Sequence, residues 1–551
     1  MALDQIRAEL SRVAASLGAP GDVEVLLETP RDRTHGDVAT NLALTLARVL
    51  KASPRKIAEQ IVAALRFPPG IVESVEIAGP GFINFRLTAD QLANLLEKIL
   101  SAGQFYGRAL AAKPLRVNVE FVSANPTGPL HVAHGRGAAI GDCVSTLLAS
   151  QGHTVQREFY VNDAGVQILR LERSLWARVQ QACGRDVPVP EDGYHGDYLI
   201  ELARLLLLEK GSAFADQPES LGSGEAGKWA VATMLKEQKD DLARFGVTFD
   251  VFYEESRLHR ERRIDATLHR LEQRGKLKTE AGALWLRSTE FGDDKDRVLK
   301  KSDGDYTYFT PDIAYHEDKA ERGFERAIDV WGADHHGYVP RMSAAMQALG
   351  HGTDFFEALI VQMVSVRRDG EEVKMSKRSG EFITLRELID EVGPDAARYF
   401  FLMRRADTPF VFDIDLALKK TDENPVFYVQ MAHARMAGIF RNLAAAGGDP
   451  LKVSAAGVDA AVLNDPSEPA LLKVLSRFPD TVRRAAEALE PQRITGFAEE
   501  LAQAAHHWYH QCRVLGEPPE IERARLVLAR ATQIVLANAL ALLGVRAPER
   551  M

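Results

Sequence analysis

The chain is 551 residues long, 46% hydrophobic and 26% charged, with a formal net charge of −9. Such values describe a globular chain of about three or four domains, and the acidic total argues against indiscriminate coating of nucleic acid while leaving room for a grip on one folded nucleic acid through local patches. The three cysteines, Cys143, Cys183 and Cys512, lie far apart without a C-x-x-C pair, so they suggest neither a disulfide framework nor a thiolate zinc site and fit a reducing cytoplasm.

The opening MALDQIRAEL reads as a charged amphipathic helix, not a secretory signal, and no apolar run approaching the roughly 20 residues of a membrane span is expected anywhere in the chain. Residues 1–112 mix helical stretches (NLALTLARVLK, PRKIAEQIVAAL) with strand-like ones (VESVEIAG, FINFRL), which predicts a compact α+β module. Next comes PLRVNVEFV (114–122), whose apolar residues alternate as in a strand, then a helical pattern in GRGAAIGDCVSTLLAS (135–150) and a second strand in HTVQREFYV (153–161). Strand, helix and strand form a βαβ unit, the building block of a parallel sheet that binds ligands at its carboxyl ends. The alternation returns much later. RAIDVWGAD (326–334) predicts a strand and turn, YVPRMSAAMQALG (338–350) a helix, and FFEALIVQMVSV (355–366) one apolar strand buried on both faces. One sheet is therefore expected in two halves within a core of residues 113–394, with the charged helical text at about 170–300 as an insertion. From 395 to 551 nearly every segment has helical length and spacing, with Pro and Gly in the breaks. The expected fold is multidomain α/β: a split Rossmann-like parallel-sheet core with an insertion, an N-terminal α+β module and a C-terminal all-α bundle.

Two stretches carry chemistry. NVEFVSANPTGPLHVAH (118–134) leaves its strand through two prolines and a glycine, then sets His131 and His134 three apart where a helix begins. A helix start presents unpaired N–H groups and a positive dipole end to phosphate, and Gly135, Gly137 and Ala138 would let a ligand approach the backbone. The two imidazoles, on one side of the first turn, suit donors to phosphate oxygens; the same spacing also fits a simple helix cap or a metal pair. EEVKMSKRSGEF (371–382) holds Lys374, Lys377 and Arg378 around Met375 and Ser376, with Gly380 permitting movement. Ammonium groups there would neutralise charge on departing pyrophosphate, although a solvated basic turn has the same composition.

Together ANPTGPLHVAH and KMSK resemble the paired nucleotide motifs of class I aminoacyl-tRNA synthetases. FYVNDAGVQI, GDYTYFTPDIAYH, GADHHGYV, DAARYFFL, NPVFYVQMAHAR and the terminal LLGVRAPERM are similar to the bacterial arginyl-tRNA synthetases, and HGDVATNLALTLAR resembles that family's extra tRNA-contacting domain. The match spans the chain. One departure is Ala133, where the usual motif has Gly; a methyl group there could crowd adenine.

The resemblance implies ATP-dependent ligation of L-arginine to the 3′ end of tRNA(Arg), with Mg²⁺ carried by ATP, in a cytoplasmic monomer without a membrane partner. A guanidinium needs carboxylates placed for bidentate pairing, and the family assigns Glu120, Tyr308 and Asp312 to the arginine side chain and Ser123 and Asn125 to its backbone. Taken alone, Glu120 is also an ordinary strand-end charge and Asp312 a helix cap. ATP falls to His131, His134, Lys374 and Lys377, with Asn125, Gly128, Gly135, Gly332, Asp334, Met375 and Ser376; Asp334 is placed to take ribose hydroxyls. No metal site is expected. His335 and His336 are left as pocket residues, and His506 and His510, four apart, fit zinc or an exposed helix face. For tRNA the resemblance offers Tyr428, Gln430 and Arg435 in the bundle and Asn41 in the N-terminal module. Rival readings are another class I synthetase, such as a cysteinyl or glutamyl enzyme, and a catalytically silent tRNA-binding relative.

Overall fold

A computed structural model describes residues 2–20, 23–28, 36–68, 70–163, 165–373 and 383–551. Helices α1 (Ala2–Ser16), α2 (Leu42–Leu50) and α3 (Pro54–Ala64) accompany an antiparallel sheet of β1 (Val38–Thr40), β2 (Val72–Ala78) and β3 (Phe82–Leu87), ordered β1-β3-β2. Ile6, Leu10, Leu46, Ile57, Ile83 and Phe85 give these elements a core of their own. The next helix, α4 (Ala89–Ala102), instead puts Leu96 and Ile99 into the large core shared by the rest of the chain.

The central part runs β4 (Arg116–Glu120), α5 (Val132–Ser150) and β5 (Thr154–Val161), then three helices, α6 (Val166–Ala182), α7 (Tyr198–Lys210) and α8 (Glu219–Arg244). After β6 (Val251–Glu254), α9 (Glu255–Arg260) and α10 (Arg263–Gln273) comes a small antiparallel sheet of β7 (Leu277–Glu280), β8 (Ala283–Leu286) and β9 (Arg297–Lys300). The second half follows as α11 (Phe309–Glu321), β10 (Arg326–Gly332), α12 (Val339–Leu349) and β11 (Phe356–Val361). The main sheet has the order β11-β10-β4-β5-β6 with every neighbouring pair parallel. Winding proceeds outward from β4 to β6, then resumes beside β4 with β10 and moves the other way. The boundary between β4 and β10 is thus the switch point, where the crossovers diverge and leave a crevice at the strand ends. Glu120 ends β4 and Gly332 ends β10.

Three expectations need correction. FFEALIVQMVSV is not one strand: β11 ends at Val361 and β12 (Val364–Arg368) joins β13 (Glu371–Glu372) and β14 (Phe410–Asp413) in another sheet. Buried Arg136 explains the break, because its guanidinium donates to the Gln362 carbonyl at 3.0 Å and the Arg405 carbonyl at 2.8 Å across the turn; β11 is an edge strand with a half-exposed middle. The span 170–300 is not all insertion, since β6 within it pairs with β5 in the main sheet. One helix does have the length and apolar composition of a membrane span, Pro519–Leu542 with 24 residues. It is the last helix of the bundle, apolar around much of its circumference because other helices surround it.

The remaining helices are α13 (Leu385–Val392), α14 (Pro394–Leu402), α15 (Ile414–Leu418), α16 (Pro425–Ala445), α17 (Ser467–Glu487), α18 (Gln492–Gln511) and α19 (Pro519–Leu542). Arg398 of α14 is buried at the junction between core and bundle. It donates to the Leu543 carbonyl at 3.0 Å beyond α19 and pairs with Asp142 of α5 at 2.5 Å.

Candidate active site

The loop after β4 carries unusual backbone. Val122 and Ser123 have φ of 67° and 39°, a region that a β-branched side chain normally avoids. Hydrogen bonds hold the bend in place: Ser123 Oγ donates to Glu120 at 2.9 Å and accepts from the Tyr160 N–H at 3.1 Å. Farther along, Asn125 Nδ2 donates to Gln167 at 2.7 Å. Gln238 of α8 donates to the carbonyls of Asn125 and Gly128, and Tyr198 of α7 donates to Thr127 O at 2.6 Å. The inserted helices therefore shape the loop, which local sequence could not reveal.

His131 is the N-cap of α5, and its N–H donates to His134 Nδ1 at 3.2 Å with the rings stacked 3.7 Å apart. The cap reading thus holds: with Nδ1 accepting, the proton of neutral His134 resides on Nε2. Gly135 plays a different part from the one expected. A Cβ there would meet Leu385 Cδ1 at 2.7 Å and Phe401 at 3.1 Å, so this glycine admits neighbouring protein rather than a ligand, whereas Gly137 has nothing within 4 Å of its Cβ position.

Lys374, Met375, Ser376, Lys377, Arg378 and Gly380 lie outside the described residues, but the chain on both sides is described. On the far side the backbone is bonded directly to the histidine segment. Leu385 N–H donates to Leu130 O at 2.8 Å and Val132 N–H to Ile383 O at 3.3 Å, with an antiparallel bridge between His131 and Thr384. On the near side, Val373 N–H donates to Val366 O at 2.8 Å.

Beneath this loop lies a cluster of buried charge. Lys319 of α11 is fully buried, with Nζ 2.7 Å from Glu120 and 2.8 Å from Asp329; His316 Nε2 lies 2.7 Å from the other Asp329 oxygen. Burial would raise Asp329, but Lys319 and His316 outweigh it and hold this acid low; burial raises Glu120, and Lys319 offsets only part of that. Glu120, His316 and Asp329 are the three possible metal ligands grouped among the described residues. The ammonium already between the two acids does not suit a divalent ion there.

Asp312, one turn before His316, accepts from the Tyr338 hydroxyl and is pushed above the ordinary carboxylate range by burial, against that hydrogen bond. Glu255, at the start of α9, shares this corner with Tyr160, Asp312 and Asp163. Burial and the two neighbouring aspartates drive it up to about 7, with Tyr160 opposing. Glu255 escaped sequence reading because YEESRLH looks like an exposed helix start. Tyr308 stands a turn before Asp312 but is 82% exposed, so the structure does not bring it onto the acids. Asp334, His335 and His336 are exposed on the turn after β10, with His335 beside Asp334 at 3.6 Å.

Comparison with known proteins finds matches along nearly the whole chain. The model for the class I (R) tRNA synthetase catalytic domain matches residues 95–199 and 206–407, that for the arginyl tRNA synthetase N-terminal domain matches 3–87, and that for the DALR anticodon-binding domain matches 429–551. Arginine--tRNA ligase 1 of Halalkalibacterium halodurans is 48% identical over 99% of this chain and 98% of its own length. The chain belongs to the arginyl-tRNA synthetase family. Arginine--tRNA ligase of Bacillus subtilis is also 48% identical, over 96% of this chain and 94% of its own. The solved Thermus thermophilus arginyl-tRNA synthetase shares the fold, with a TM-score of 0.80 at 22% identity and complete coverage of both chains.

In the bundle of this synthetase, Arg435 lies 2.7 Å from His506 Nδ1 and 3.2 Å from His510 Nε2, and His506 Nε2 is 3.1 Å from Tyr428 O. Both His506 nitrogens are therefore occupied by hydrogen bonds, and the zinc reading lapses. Tyr428 and Arg435 remain on one partly exposed patch. Gln430 does not: it is buried, and its amide donates to Asp395 at 3.1 Å and Arg546 O at 2.9 Å, tying the bundle to the core. The anticodon-contact expectation is withdrawn for this residue, because its donors are spent inside the protein. Asn41 stands at the N-cap position of α2 on the N-terminal module, without a side-chain capping bond, and is half-buried.

The raised Glu255 has a measurable consequence. A guanidinium binds the ionised carboxylate, and at pH 6 most Glu255 is neutral if its pKa is about 7. Arginine affinity is expected to rise roughly tenfold between pH 6 and 8, with proton uptake by buffer on binding. Isothermal titration in buffers of different ionisation heat checks this, and a Glu255→Gln variant should lose the pH dependence.

Proposed function

We propose that the chain charges tRNA(Arg) with L-arginine in two transfers driven by ATP. The arginine carboxylate attacks the α-phosphate, giving arginyl-adenylate and pyrophosphate. The terminal adenosine of the tRNA then attacks the activated carbonyl through its 2′-hydroxyl, releasing AMP. No side-chain nucleophile takes part, so the protein supplies position and electrostatics.

Here His134 Nε2–H and His131 donate to the α- and β-phosphates, Lys374 and Lys377 follow the leaving pyrophosphate, and Mg²⁺ arrives with ATP. Asn125, Gly128, Gly332, Asp334, Met375 and Ser376 line the nucleotide. Asp312 and Glu255 face the guanidinium from two elements, with Glu120 adding charge from the floor while its oxygens hold Ser123 and Lys319. Tyr308 closes over the arginine side chain by turning inward from its exposed position. Ser123 and Asn125 orient the arginine backbone. Asn41, Tyr428 and Arg435 are offered to tRNA, whose unpaired bases suit aromatic stacking and edge hydrogen bonds. We take the enzyme to work as a cytoplasmic monomer.

One observation supports this reading: Leu385 N–H donates to Leu130 O and Val132 N–H to Ile383 O, so the histidine turn is bonded to the stretch that follows the lysine motif. The test is ATP–pyrophosphate exchange, with and without tRNA, for each of the twenty amino acids. Exchange with arginine alone supports the reading. Exchange with another amino acid favours a different class I synthetase, and silence with retained tRNA binding favours a non-catalytic relative.

A further inference from the structure

The two nucleotide-binding segments are joined not only to each other but to a third element, α8, which comes from the inserted helices. Gln238 is 1% exposed, and its Nε2 donates at once to Asn125 O at 3.1 Å and Gly128 O at 3.0 Å. A primary amide can make both bonds from one nitrogen; an apolar or acidic side chain of the same size cannot. Three residues on, Asp241 is equally buried and accepts from Arg386 Nε of α13 at 2.6 Å, while Glu237 lies 3.9 Å from the same guanidinium and Arg244 pairs with Asp390. The near end of α13 is the stretch Ile383–Leu385 already bonded to Leu130 and Val132, and Leu385 packs against Gly135.

These contacts close a ring: α8 to the 125–128 loop, the loop to the histidine turn, that turn to the start of α13, and α13 back to α8. Opening either link to α8 frees the 125–128 loop or the start of α13 from that helix and leaves the histidine turn alone to fix their relative position. We propose that Gln238 is a positioning residue for adenylate formation, acting with the Asp241–Arg386 pair to fix the 125–128 loop against the segment that follows the lysine motif. It touches no reacting atom. The inference rests on the reading of residues 125–134 as the ATP site, and a His134→Ala variant with unchanged exchange would defeat that reading itself.

The experiment is tRNA-dependent ATP–pyrophosphate exchange in Gln238→Leu, Arg386→Met and the double variant, with melting temperature and tRNA affinity measured alongside. Each single change is expected to lower the exchange kcat by about 10- to 100-fold, as misplacement of a reacting group does. Because both open the same ring, the double variant should be no more than about threefold slower than the worse single one. A Gln238→Leu rate within threefold of the parent, or a double-variant loss equal to the product of the single losses, overturns the proposal. Gln238→Glu tests it without depending on the leucine variant. A carboxylate facing two carbonyls repels them, whereas the neutral acid donates, so its exchange relative to the parent should recover about tenfold from pH 8 to pH 6. A pH profile parallel to that of the parent overturns it equally.

Discussion

Replacing Lys319 with Met lowers folding stability by about 3–5 kcal/mol at pH 8, the usual cost of stranding a buried charge pair. The ammonium serves Glu120 and Asp329 simultaneously; Asp329 is fully buried and Glu120 nearly so, which leaves little water to recover their solvation. Methionine has nearly the same length, so the loss is electrostatic and not a cavity effect. The sign with pH follows directly. Without the ammonium the folded-state pKa of Asp329 rises above its unfolded value and that of Glu120, already raised by burial, climbs further; the native state then holds more protons, and the variant's stability falls as pH climbs from about 5 to 8. Urea unfolding at both ends of that range should show the deficit shrinking in acid. A deficit below about 1 kcal/mol at pH 8 would mean that the ammonium is not what neutralises this cluster.

Lys377→Ala is expected to slow arginine activation by about 100- to 1,000-fold, as loss of one aligned donor to developing charge does elsewhere. Arginine affinity should stay within about twofold, because the acids assigned to the guanidinium sit on β4, α9 and α11, not on the lysine segment. Pyrophosphate exchange measures the first quantity and calorimetric titration the second. An unchanged exchange rate would remove Lys377 from the leaving-group role; a parallel loss of arginine binding would make it a binding residue instead.

Both variants concern residues near one another in function but read from the chain in different ways. Lys377 stands in a short motif whose proposed role comes from its resemblance to a family pattern. Lys319 lies in AYHEDKAERG, four polar residues in a row that look like a solvated helix face, yet His316, Glu317, Asp318 and Lys319 are all buried. The helix-cap reading of Asp312 implies a helix here; it could not predict that β10, α9, α10 and α12 would enclose that face and turn a surface pattern into a charge cluster. Glu255 escaped for the same reason. Its pKa is raised by burial first and then by Asp312 and Asp163, neither of which is near it in the chain.

Elsewhere local and global information diverged in the opposite direction. Gly135 reads as a ligand-facing glycine because it lies in a phosphate-type motif, but Leu385 and Phe401 from α13 and α14 occupy the space. Gln430 sits in a stretch that resembles an anticodon-binding helix, and its side chain is turned inward to Asp395 and Arg546. FFEALIVQMVSV has no interior turn residue, so the break at Gln362 and Met363 became visible only through Arg136, which is 226 residues away from its acceptor.

Residue order was enough to determine that strands and helices alternate around a divided parallel sheet and that an all-helical bundle closes the chain, and two short motifs in it raise the expectation of nucleotide chemistry. Periodicity and motif spacing act over a few residues, and those preferences survive in almost any tertiary setting. The tertiary structure alone decided which charges share a cavity and which glycine meets protein, and that α8 reaches across to the histidine loop. Burial and ion pairing depend on elements that meet after long excursions of chain, as Lys319 meets Glu120 across 199 residues, and only the finished packing sets the dielectric in which those groups act.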